Sequence, residues 1–91
     1  MSIRKILVVD DSPTERHVLT ALLTSKGYEV ITAQSGEEGI AKAKSELPDL
    51  VLMDVVMPGL NGYQATRTLT RDPATRNIPV IVCTTKSQET D

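Results

Sequence analysis

The chain has 91 residues, room for one domain with a modest core. It is 40% hydrophobic and 24% charged, ordinary for a globular chain, and its formal charge of -2 leaves no basic footprint for nucleic acid or an anionic membrane. The only aromatic residues are Tyr28 and Tyr63, which excludes a base-stacking platform, and no apolar stretch approaches membrane-spanning length. A lone cysteine cannot form an internal disulfide and no signal peptide opens the chain, so the expected setting is the cytosol.

Lys5 to Val9 is a short apolar run, expected to be a strand covered on both faces. Ser12-Pro13-Thr14-Glu15 then supplies an N-cap, a proline at the first helical position and the acid of a capping box. Val18, Leu19, Leu22 and Leu23 form one apolar stripe of the helix that follows, which Lys26-Gly27 ends. A second strand is predicted over Tyr28 to Thr32. Ser35-Gly36-Glu37-Glu38 repeats the capping pattern, Ile40, Ala41, Ala43 and Leu47 carry a second helix, and Pro48 closes it.

Asp49 to Met53 is the third predicted strand. Asp54 to Gly62 is a loop in which Pro58-Gly59 and Asn61-Gly62 signal turns. A third helix runs from Tyr63 to about Thr70, with Ala65, Leu69 and Tyr63 facing inward. Asp72-Pro73 and Ile78-Pro79 bracket a polar loop. Val80 to Cys83 is a fourth strand, with Cys83 read as a buried small hydrophobe, and Thr85 or Ser87 begins a further helix. Alternating strands and helices imply an α/β fold with an open parallel sheet and right-handed crossovers.

On that fold Asp10, Asp11 and Asp54 converge at one sheet edge, where open α/β sheets place ligands. Clustered carboxylates repel one another and attract a hard cation, most naturally Mg²⁺. Asp54 fits a nucleophile that takes a phosphoryl group, or a residue that caps the loop turn. Asp10 and Asp11 fit metal ligands, or charges that favour the helix N-terminus behind them. Thr84 could contact a phosphoryl oxygen or cap the next helix, and Lys86 could bind phosphate or be solvated. His17 has no partner at metal-ligand spacing. Neither G-x-G-x-x-G nor the P-loop pattern occurs.

These residues resemble a known family. Ile6-Leu7-Val8-Val9-Asp10-Asp11-Ser12-Pro13, Met53-Asp54-Val55-Val56-Met57-Pro58-Gly59-Leu60-Asn61-Gly62 and Ile78-Pro79-Val80-Ile81-Val82-Cys83-Thr84 match, in order, the receiver domain of two-component response regulators (CheY-like). Within it, Asp11 to Glu15, Asn61 to Arg67 and Thr84-Thr85-Lys86 resemble the stand-alone receivers of twitching-motility chemosensory systems, the PilH type.

The resemblance implies a flavodoxin-like sheet of strand order 2-1-3-4 and a signalling role rather than enzymatic turnover. It implies that Asp54 accepts phosphate from a histidine kinase, that Asp10, Asp11, Asp54 and the Val56 carbonyl gather Mg²⁺, and that Thr84 is the switch hydroxyl. Val56 and Lys86 match positions that tune phosphate loss. The sequence is expected to be a single truncated receiver over residues 1–91, lacking the family's fifth strand and most of helices four and five. Strand four is then an unprotected edge, and the chain is expected to be unstable as a monomer or to form a dimer or swapped assembly, the alternative being that a longer parent chain supplies the missing portion. Two other readings stand beside the receiver. One is a non-switching scaffold. The other is an aspartyl-nucleophile phosphohydrolase, disfavoured because Val56 occupies the place of a second acid two residues after Asp54.

Overall fold

The computed structural model describes residues 2–55, 57 and 59–83. Seven elements alternate: β1 Lys5–Val9, α1 Pro13–Ser25, β2 Glu29–Ala33, α2 Gly36–Glu46, β3 Leu50–Asp54, α3 Gly62–Arg71 and β4 Val80–Cys83. The strands form one four-stranded parallel sheet of order β2-β1-β3-β4, as the resemblance implies. Right-handed crossovers on this order put α1 on one face and α2 with α3 on the other. Contacts agree: α2 packs on α3 and β1, while α1 packs on β1 and β2.

The strong face is the one under α2 and α3. Leu7, Val9, Val51 and Met53 point there and meet Ala43, Ala65, Leu69 and Met57. Small residues on the helices let them sit close to the sheet. Ile6 and Val8 point to the opposite face and are also buried. Within the α3–β4 loop, Thr75 is buried and its hydroxyl donates to the Leu69 carbonyl at 2.7 Å.

Several sequence expectations change. No residue of α1 is buried, and Val18 and Leu22, half of its apolar stripe, are more than half exposed. Helical spacing identifies a stripe but not the strength of the layer beneath it. In α2 the inward residues are Gly36, Gly39 and Ala43, with Ile40 packed beside them. Ala41 is exposed, and Leu47 leaves the helix as a left-handed cap with φ 48. Pro48 accounts for the helix ending there, because it disfavours right-handed helical backbone at the residue before it.

Tyr63 faces solvent rather than the core. Asn61-Gly62 is not a free-standing turn: Asn61 caps α3 in a reciprocal box with Gln64. Strands β2 and β3 each begin one residue later than the pattern suggests, so Asp54 closes its strand instead of following it. The helix start at Thr85 or Ser87 lies outside the described residues.

Candidate functional site at the carboxyl edge of the sheet

Parallel strands end on the same side, so the residues that terminate β1 and β3 are neighbours. The register pairs Val9 with Met53, which sets Asp10 beside Asp54. Asp54 pairs in turn with Cys83. Carboxylate oxygens of Asp10, Asp11 and Asp54 all lie within 4.8 Å of one another, a grouping that could hold a metal ion. Asp10 and Asp54 are 4% and 2% exposed, so two acids are buried at one point. Burying carboxylates costs free energy unless a cation or hydrogen bonds offset the charge.

Asp10 is held on three sides. Its N–H donates to Ala33 at the end of β2, at 3.0 Å. Its Oδ1 accepts from the Ser12 N–H at 2.9 Å. Its carbonyl accepts from Arg16 Nη1 at 2.7 Å. The Ser12 bond revises the capping expectation. Ser12 does accept from the Glu15 N–H, at 3.2 Å, but its own N–H goes to Asp10 rather than to Glu15. Asp10 therefore shapes the helix entry as well as contributing its charge to the cluster. The second cap is displaced in a similar way. Glu38 accepts from the Gln34 N–H instead of that of Ser35, and this bond leads the causes that hold its carboxyl below the usual range.

Asp54 is fixed through its backbone. The Val55 N–H donates to the Cys83 carbonyl at 3.1 Å, which prolongs the β3–β4 ladder past the acid. Gly62, the first residue of α3, presses on this turn. A Cβ there would collide with the Asp54 carbonyl and come within 2.7 Å of the Val55 Cα. Only glycine permits that approach.

Cys83 is half-buried beside the acids and is not a core residue. Burial first, then the charges of Asp54 and Asp10, push its thiol upward. His17 is exposed on α1. Val56, Thr84 and Lys86 lie outside the described residues. The structure thus unites Asp10, Asp11 and Asp54, and adds Arg16, Gly62 and Cys83, which spacing alone does not reveal. The sequence signal for Arg16 is slight: it follows Ser12 by one helical turn.

The donor set is all carboxylate oxygen, which suits a hard divalent cation such as Mg²⁺ and not a soft metal. The profile of the response regulator receiver domain matches residues 6–91. The chain belongs to the response regulator receiver family. It is 61% identical over 87 residues to Protein PilH of Pseudomonas aeruginosa, covering 96% of this chain and 72% of that protein.

Among solved receiver structures, the N-terminal domain of a response regulator receiver protein from Methanoculleus marisnigri superposes with a TM-score of 0.89 at 43% identity, covering 97% of this chain and 72% of that one. A CheX–CheY–BeF₃–Mg²⁺ complex from Borrelia burgdorferi gives 0.84 at 31% identity, over 94% of this chain and 65% of that one. The acid cluster is therefore the phosphoacceptor and Mg²⁺ site typical of two-component receivers, which are phosphoacceptors for histidine kinases rather than turnover enzymes. No helix among the described residues is long and apolar enough to cross a membrane.

Proposed function

We propose that the 91 residues act as one receiver domain in which Asp54 is the residue phosphorylated by the kinase. The observation that carries this is the convergence of Asp10, Asp11 and Asp54 at the end of β1 and β3, with Asp54 held at the strand terminus. An Asp54 oxygen attacks the phosphorus of a phosphohistidine. The O–P bond forms as the P–N bond breaks, and the imidazole leaves with the electron pair and takes up a proton.

Asp10, Asp11 and Asp54, with the Val56 carbonyl, would hold the Mg²⁺ that offsets the charge of acid and phosphoryl group. Thr84 is assigned as the hydroxyl that answers phosphorylation. The Borrelia CheY complex contains both BeF₃, a phosphoryl mimic, and Mg²⁺, which supports this use of the pocket. The likeness to PilH, with the matching stretches around Asp11 and Asn61, supports a role in control of twitching motility from the cytoplasm, exerted through protein contacts.

Intact mass after incubation with a small acyl phosphate and Mg²⁺ tests the central claim. The wild-type chain should gain one phosphoryl group, and Asp54→Asn none, with its fold retained. An adduct that persists on Asp54→Asn would remove Asp54 from the role.

A further inference from the structure

Asp10 directly follows β1, which ends at Val9, and its carbonyl accepts a side-chain hydrogen bond. Arg16 provides it across six residues, from the second turn of α1. A guanidinium–carbonyl bond of 2.7 Å in a half-buried place is a charge-assisted contact, among the stronger kinds. With the Ala33 and Ser12 bonds it leaves the Asp10–Asp11 turn little freedom.

Arg16 also lines an open groove of about 230 Å³, between the end of β2 and α2. Glu38 and Lys42 line the same groove and pair with each other at 3.4 Å, while Lys42 Nζ donates to the Thr32 carbonyl at 2.6 Å. The charge of Arg16 is felt at Glu38. Arg16 thus stands between the acid cluster and a charged row on α2.

We propose that Arg16 is a positioning residue of the phosphorylation site: by holding the Asp10 carbonyl it fixes where the Asp10 and Asp11 carboxylates meet Asp54. It touches neither metal nor phosphoryl group. This rests on the reading of the acid cluster as the Mg²⁺ and phosphoryl site. Partners one shell out from a metal typically change affinity by about tenfold or more when removed.

The test is Mg²⁺ titration by NMR together with the rate of phosphoryl uptake from the small acyl phosphate. Arg16→Met keeps bulk and removes the donors. It should weaken Mg²⁺ binding by about tenfold and slow uptake, with an amide spectrum otherwise like wild type. Arg16→Lys should recover part of the loss. Arg16→Ala should be rescued by low millimolar methylguanidinium, which can enter from the open groove, while ammonium at the same ionic strength should not rescue it. Wild-type affinity and rate in Arg16→Met would overturn the proposal. So would a loss that tracks melting temperature across the variants and responds to no guanidinium, since that is a packing role. If Arg16→Met does not fold, Arg16→Lys against wild type makes the same comparison. Failure of wild type itself to bind Mg²⁺ or take phosphate would instead overturn the reading of the site.

Discussion

Gly62 shows how much of this site depends on an atom that is missing. The residue bears no charge, yet α3 can start directly against the Asp54–Val55 turn because no side chain intervenes. The obstruction is backbone, which cannot rotate aside as a long side chain could. Gly62→Ala should therefore cost stability by about 1–3 kcal/mol, the usual penalty of overpacking, and shift the acid that the turn carries. Chemical denaturation reads the first effect and Mg²⁺ titration the second. A variant with wild-type stability and wild-type Mg²⁺ affinity would show that α3 slides away freely. Cys83 makes the complementary point. It looks like a core residue in the sequence, but its register partner is Asp54, so it belongs to the rim of the pocket.

Among the elements, α1 and α3 are opposites despite similar-looking apolar spacing. The long apolar side chains of α1 leave it with no buried residue, whereas α3 buries Ala65 and Leu69 fully. Helix stability in proteins comes from such burial more than from propensity. Leu69→Ala should cost about 2–5 kcal/mol. Val18→Glu and Leu22→Gln should stay within about 0.5 kcal/mol, as surface changes do. Urea midpoints compare the three directly, and a large loss from either α1 variant would mean that its exposed face is covered in solution. The caps follow a related logic. Ser12, Ser35 and Asn61 each accept from the backbone N–H three residues on, so all three helix starts are satisfied by the residue type the sequence supplies.

For the whole molecule, carboxylates fasten elements that are distant in the chain. Asp49 accepts from the Lys5 and Arg4 N–H groups at 2.9 and 2.8 Å, joining the start of β3 to that of β1. Asp72 accepts from the Ala74 N–H at 2.9 Å and pairs with Lys44 at 3.0 Å, joining the α3–β4 loop to α2. Both carboxyls sit below their ordinary values, chiefly because of those backbone bonds. A carboxyl lowered in the folded state stabilises it above the unfolded pKa, about 4, and loses that contribution as pH falls through the folded value. Asp49→Ala with Asp72→Ala should therefore melt below wild type at neutral pH and converge on it in acid. Melting curves from pH 7 down to about pH 2 check this, and a constant gap would assign the loss to something other than ionisation.

Order along the chain determined a great deal by itself. The alternation of apolar runs with capped helices specified a parallel α/β sheet, and the acids after Val9 and Met53 marked its functional edge, because strand ends in such a sheet must coincide. The motifs around Asp11, Asp54 and Ile78 carried the family. What only the tertiary structure decided was each residue's surroundings. Val18, Leu22 and Tyr63 have core chemistry but lie where no layer of the described residues covers them, while Thr75 is polar and is buried. Arg16 looks like any helical surface charge until the fold brings its guanidinium to the Asp10 carbonyl. Periodicity fixes the direction of a side chain relative to its own element. What stands opposite is set by elements that arrive from elsewhere in the chain, and burial, charge and positioning all follow from that meeting.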